Sequence, residues 1–215
     1  MRVMPIKYHE AEEWLLNIHY AKRLPPITFS FGLFADNILI GILTYGSPVS
    51  HTLCEGICGK EYKDNVLELN RLCLLHNRKN EASFLIGNSL KLLPKNKIIV
   101  SFADTDMNHH GYIYQATNFI YTGLTDKHSE WRLKGSNLHQ KNITIDYSLE
   151  ERKANPDKFE IVQRTRKHRY IYFLGDKKKK SNMINKLNYK IKSYPKGDNK
   201  NYKVGYNPKV QGLLF

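Results

Sequence analysis

Six consecutive residues, Ile98-Ile99-Val100-Ser101-Phe102-Ala103, form a short apolar run bounded by turn signals. A run of that length and polarity reads as a buried strand, apolar on both faces. Such a strand needs cover above and below, and the flanking segments supply it. Val66 to Leu75 reads as a strand, and Ala82 to about Leu93 as a helix that Pro94 stops. Gly111 to Asn118 reads as a short helix and Phe119 to Thr122 as a strand. Strands alternating with helices argue for a layered α/β sheet in this half of the chain.

The first half adds antiparallel strands. Residues 8–20 place Ala11, Trp14, Leu15 and Ile18 at helical spacing, and Pro25-Pro26 ends whatever precedes it. Residues 27–34 and 38–45 are strand-like, with Ala35-Asp36-Asn37 as the hairpin turn. A loop rich in Gly, Ser and Cys is expected from Gly46 to about Asp64, and a polar loop from His76 to Glu81. The last third holds one clear strand, Arg169 to Leu174. The expectation is a mixed central sheet flanked by helices in one catalytic domain, residues 1–174, with a basic C-terminal arm, residues 175–215.

Charge separates the same two parts. Of the net charge of +14, residues 151–215 contribute +13, with 18 Lys and Arg against 5 Asp and Glu. Residues 1–150 are nearly neutral, with 16 against 15. Clustered cations gain affinity for phosphates by releasing condensed counterions, as they do on double-stranded DNA. The plainer alternative is a solvated basic surface. A membrane anchor fits poorly, because no apolar run nears 20 residues and the basic stretch has no broad apolar face. Met1 to Ile6 lacks the apolar segment of a secretory signal, and Cys54, Cys58 and Cys73 are an odd set read as free thiols. The expected location is the cytoplasm.

Four places can carry chemistry. Asp104 follows the buried strand, where open α/β sheets hold ligands, and suits a general base or a metal ligand. Helix capping by Asp104 or Asp106 is the competing reading. Arg78 to Phe84 lies at a strand-to-helix turn, where backbone N–H groups bind anions, although Asn80 or Ser83 can equally act as an N-cap. The tyrosines of Gly111 to Tyr121, and likewise His19-Tyr20, can be packing, or can stack on a flipped base and pass a proton. In Arg164 to Phe173, alternation sends Lys167, Arg169 and Ile171 to one face and His168, Tyr170 and Tyr172 to the other. That suits phosphate contacts with aromatic stacking, or else an edge strand protected by charge. His51, Cys54 and Cys58 lack a fourth zinc ligand and read as loop or core.

Several segments resemble the Mom family of phage adenine-modifying proteins. They are His19-Tyr20-Ala21-Lys22-Arg23-Leu24-Pro25, Glu68-Leu69-Asn70-Arg71-Leu72, Asn80-Glu81-Ala82-Ser83-Phe84-Leu85 and Ser101-Phe102-Ala103-Asp104-Thr105. Gly111 to Gly123 and Lys167-His168-Arg169-Tyr170 complete the set, and Tyr-Gln-Ala-Thr-Asn-Phe-Ile-Tyr-Thr-Gly is its most specific run. The resemblance implies a GNAT-like acyltransferase fold. It also implies conversion of adenine in DNA to a methylcarbamoyl derivative at the exocyclic amine, protecting phage DNA from restriction in the host cytoplasm.

Carried onto matching positions, the active site draws on His19, Tyr20, Ser83 and Asp104, with Tyr114 where GNAT enzymes often keep a tyrosine acid. Arg78, Asn80 and Ser83 are the expected donor-binding residues. Arg71, Lys167, Arg169, Tyr170, Lys177 and Lys178 are the expected contacts to nucleic acid. A bound iron has been proposed for the family, with His19 and Asp104 as candidate ligands here. Acyl-CoA enzymes of the GNAT group usually carry Gln/Arg-x-x-Gly-x-Gly/Ala after the central strand. This chain has His76-Asn77-Arg78-Lys79-Asn80-Glu81-Ala82, without glycine, so the acyl donor stays open. Two rivals remain: an N-acetyltransferase acting on a protein or small-molecule amine, and a DNA-binding protein without catalysis.

Overall fold

The computed structural model describes residues 1–105, 108–136, 138 and 140–197. Asp106 and residues 198–215 of the expected arm lie outside the described residues. The main sheet has seven strands in the order β1-β2-β3-β4-β5-β9-β6. They are β1 (Arg2–Pro5), β2 (Phe29–Ala35), β3 (Ile38–Gly46), β4 (Val66–Leu74), β5 (Ile98–Asp104), β6 (Ile120–Leu124) and β9 (Lys167–Phe173). β4 and β5 are parallel and the other neighbouring pairs are antiparallel. This is the mixed sheet expected.

The hairpin forms where Asp36 and Asn37 both adopt positive φ, 48° and 66°, which short polar side chains tolerate. On one face lie α3 (Glu81–Leu92) and α4 (Tyr112–Ala116), whose Leu85, Ile86, Leu90, Ile113 and Tyr114 pack with Phe31, Leu43, Tyr45, Leu67 and Leu69 of the sheet. On the other lie α1 (Tyr8–Asn17), burying Ala11 and Leu15, and α2 (His51–Cys58), burying Cys54, Ile57 and Cys58. The segment expected to be a loop thus holds a helix, capped by the Ser50 hydroxyl accepting from Leu53 N–H, and then a 3-10 turn, Lys60–Asn65.

Residues 175–197 are part of the body rather than an arm. Lys177 to Lys180 open α7 (Lys177–Asn185), which Asp176 caps by accepting from Lys179 N–H at 2.8 Å. Met183 of α7 is buried and takes a hydrogen bond from Cys58 Sγ at its carbonyl. The chain then runs back across the molecule: Asn188 N–H donates to Ile57 O, Lys192 N–H to Tyr121 O, and the Tyr194 hydroxyl to Phe119 O.

Between β6 and β9 the chain leaves the main sheet. Residues 125–166 include a two-stranded ribbon, β7 (His128–Leu133) and β8 (Phe159–Arg164), with α5 (Gln140–Asp146) and α6 (Leu149–Ala154) between them. The sequence showed none of these four elements, because their apolar residues are few and no helix or strand period is sustained.

Candidate active site

The site begins where the sheet opens. β4 and β5 pair only at Val66/Ile98, Leu67/Ile99 and Glu68/Val100. Beyond that point β4 follows β3 as far as Leu74, while β5 follows β9 as far as Asp104. Ser101 Oγ donates to Leu69 O at 2.9 Å and fastens the fork of the opening. Asn70 is the extra residue of a bulge against Thr44 and Tyr45. Its side chain accepts from Thr44 Oγ1 at 2.6 Å and donates to Pro26 O at 2.7 Å. That bond ties the loop bearing His19, Tyr20 and Arg23 to β4. The approach requires Gly46, where a Cβ would stand 1.8 Å from Pro26 O.

The groups gathered around the opening are coupled. His19 is buried, its Nδ1 accepting from Ala21 N–H at 3.1 Å and its ring stacked on Tyr20 at 4.3 Å. Burial, and then the nearby Arg71 guanidinium, lower its pKa to about 4. Tyr20 is 55% exposed and leaves ring surface open to solvent. Arg71 donates to Asn70 O at 2.7 Å, while its buried Nε has no partner among the described residues. Burial raises the Glu68 pKa, against the pull of Arg71 and Lys167. Burial also pushes the Tyr114 phenol up to about 12, with the Ser101 hydrogen bond opposing and the charges of Tyr20 and Glu68 adding. Asp104 ends β5 in an ion pair with Lys167 at 3.1 Å and accepts from Thr165 Oγ1 at 3.3 Å.

The structure therefore brings together His19, Tyr20, Arg71 and Tyr114, and links Asp104 to them through Lys167 and Glu68. Ser83 and Asn80 stand elsewhere, lining a groove of about 390 Å³ between α3 and α4 with Phe84, Gly87, Thr117 and Tyr172. Arg78 is exposed on the preceding loop. Two expected nucleic-acid contacts are interior. Tyr170 is fully buried, and Arg169 lies 3.3 Å over the Tyr189 ring while donating to Thr122 Oγ1. The edge-strand alternative also fails, since β9 is inserted between β5 and β6. Lys177 and Lys178 are exposed, but they follow the Phe173 end of β9, which pairs with Ile98, whereas Lys167 pairs with Asp104. The length of β9 separates the two ends by about 20 Å. Glu68 falls within the segment Glu68-Leu69-Asn70-Arg71-Leu72, but the sequence assigned it no role; the signal was one carboxylate in an otherwise apolar strand start, Val66-Leu67-Glu68-Leu69.

The Mom protein family model matches residues 1–196. The chain belongs to the Mom family. Methylcarbamoylase mom of Escherichia phage Mu is 26% identical over 206 residues, covering 91% of this chain and 84% of that protein. Among solved structures, the chain is similar to a GNAT-family acetyltransferase from Bacillus cereus, with a TM-score of 0.44 at 13% identity, covering 80% of this chain and 96% of that one. It is also similar to an N-acetyltransferase from Staphylococcus aureus Mu50, with a TM-score of 0.45 at 11% identity, covering 80% and 100%.

The two groups that the resemblance implied for a Mom-family chain can be set against these residues. A diphosphate at the start of α3 would need free main-chain amides. Asn77 and Asn80 take positive φ, 46° and 70°, so the turn forms without glycine. The Arg78 N–H, however, is taken by the Glu81 carboxylate at 2.8 Å, and that carboxylate is 3% exposed. A main-chain amide already taken by a buried side chain does not fit the diphosphate of acyl-CoA. For iron, no group of three or more His, Cys, Asp or Glu among the described residues could hold a metal, so His19 and Asp104 have no such set around them.

Proposed function

We propose that this Mom-family chain is an enzyme that modifies DNA, placing a methylcarbamoyl group on the exocyclic amine of adenine. The observation that carries the reading is the opening between β4 and β5, where buried His19 stacks on Tyr20 and the unpartnered Arg71 Nε lies within reach of the charges of Glu68 and Tyr20. The relative from phage Mu that bears the name methylcarbamoylase matches across nearly the whole chain.

Duplex stacking hides the adenine amine, so the base must be flipped out at a cost of a few kcal/mol. The exposed Tyr20 ring, with Lys22 and Arg23 exposed beside it, offers a stacking surface and charge for the flanking phosphates. Inside, the amine attacks the carbonyl carbon of an activated methylcarbamoyl carrier. A C–N bond forms, and the bond to the carrier's leaving group breaks. Glu68, its basicity raised by burial, accepts the amine proton, and Tyr114, held protonated, gives its proton to the leaving group. The unpartnered Nε–H of Arg71 is placed to donate to the carbonyl oxygen as charge develops there. Asp104 holds Lys167 at the mouth and positions it against Glu68. His19, neutral near pH 7, buttresses Tyr20, and Ser83 with Asn80 lines the groove available to the carrier.

Nucleoside mass spectrometry of cellular DNA after expression tests the reading. Wild-type protein should yield methylcarbamoyl-adenine, and Glu68→Gln should yield none at equal protein levels. Unmodified adenine in the presence of folded wild-type protein would sink the assignment.

A further inference from the structure

Residues 125–166 leave the main sheet after Leu124 and re-enter it at Lys167, the partner of Asp104. The insertion therefore springs from the end of the sheet that carries the site. Its neck is fixed there. Arg166 Nε donates to Thr125 O at 2.5 Å, Thr125 N–H to Lys167 O at 2.8 Å, and Thr105 Oγ1, one residue past β5, to Arg166 O at 2.6 Å.

The ribbon β7–β8 has two faces, because residues opposite one another in an antiparallel pair share a side. One face carries Trp131/Ile161 and Leu133/Phe159; Phe159 is buried there and Trp131 and Leu133 are partly covered, while Ile161 stays 60% exposed. Arg152 of α6 lies over Trp131 at 5.3 Å, and Tyr147 packs on Phe159 at 5.0 Å. The other face carries His128/Arg164, Glu130/Val162 and Arg132/Glu160. There Glu130 stands between two exposed guanidiniums, 3.3 Å from Arg132 and 4.0 Å from Arg164. Charge follows the same division. Residues 125–134 with 158–166 hold six Lys and Arg against three Asp and Glu, whereas residues 140–154 hold three of each.

We propose that the β7–β8 ribbon is a duplex-docking element that enters the major groove beside the flipped adenine, with Arg132 and Arg164 contacting the DNA. The proposal rests on the DNA-modifying reading above. A two-stranded ribbon fits the major groove, and a six-residue strand spans about 20 Å, close to the width of a duplex. The clamped neck fixes the direction of the ribbon from the opening, so groove and target base are met together. Arg132 spends Nε and Nη2 on Glu130, so its remaining N–H groups, and most of those of Arg164, are left for base edges and phosphates.

The test compares wild type, Arg132→Gln/Arg164→Gln and, as a control on the neutral helical side, Lys153→Gln. Binding to a duplex is measured by gel shift at graded salt, alongside melting temperature. The double variant should melt like wild type, bind about tenfold or more weakly, and lose about two from the slope of log K against log salt, while Lys153→Gln stays unchanged. Because glutamine keeps a donor for Glu130, folding should survive; should it not, single variants are read in the same way. Wild-type affinity and slope in the folded variants overturns the proposal. Failure of the parent reading is a separate result, seen as unmodified adenine with the wild-type protein.

Discussion

At the scale of single residues, the site is a set of ionisable groups whose charge states are set by burial. Tyr114 is raised to about 12 and so carries its proton throughout the physiological range. Tyr114→Phe keeps the ring that packs on Phe119 and Tyr170 and should slow single-turnover transfer by about 10²-fold. An unchanged rate in that variant would leave the residue as packing alone. Asp104→Asn removes the partner of Lys167 and should weaken turnover less than Glu68→Gln does. The reverse order, read by the same assay, would return the base to Asp104. His19 makes a pH prediction. Its pKa falls from 6.5 to about 4 on folding, so between those values the unfolded chain binds the extra proton. Its contribution to stability is intact above pH 6.5 and fades as pH drops toward 4, by an amount on the order of 3 kcal/mol. Urea midpoints at pH 7 and pH 4.5 should therefore differ more in wild type than in His19→Gln. Sequence alone singled out His19, Tyr20 and Tyr114, by motif and by the family resemblance. It passed over Glu68 because a carboxylate in a strand shows its burial only once the neighbouring strand is known to diverge.

At the scale of elements, the parts with a sustained period were legible: the first helix, the hairpin, β4, α3, β5, α4, β6 and β9. Burial along one face imposes the pattern that a reader detects, and these elements bury one, α4 excepted, whose five residues are at most half-buried. The ribbon, α5, α6 and α7 bury only scattered residues, such as Phe159, Ile143 and Met183, and leave no such trace. The lysine run read as a solvated arm for the same reason, although Asp176 caps it into a helix. A deletion separates these views. Loss of 175–215 strips Met183 from its seat and Tyr189 from Arg169, and should lower it by many degrees or abolish soluble expression. The turn into α4 is a finer case. Gly111 has φ of +74°, and a Cβ there would stand 2.3 Å from the Tyr170 ring. Gly111→Ala should cost about 1–3 kcal/mol in denaturant unfolding and shift the loop that leads from Asp104 to Tyr114.

At the scale of the whole molecule, positive charge lies at both ends of the sheet, near Lys22, Arg23 and Lys167 and again at Lys177 to Lys180. Replacing Lys22 and Arg23 with glutamine should reduce duplex affinity more than the same change at Lys177 and Lys178, as measured at one moderate salt concentration. Equal losses would mean that DNA runs along the full length of the sheet. No helix among the described residues is long and apolar enough to cross a membrane. The order of strands has a further consequence, for how the protein is made. β5 and β6 are complete by Leu124, yet the strand that joins them, β9, begins at Lys167. A ribosome must therefore add more than forty residues while two apolar strands wait with an empty slot between them. Closing that slot is a long-range event, slow by nature and exposed to aggregation until it happens. Any chain cut short before residue 167 would have Asp104 without Lys167 and a sheet with a gap in it. Expression systems that slow translation across residues 125–166 should then lower the soluble yield, and no amino-terminal fragment ending within that span should be active.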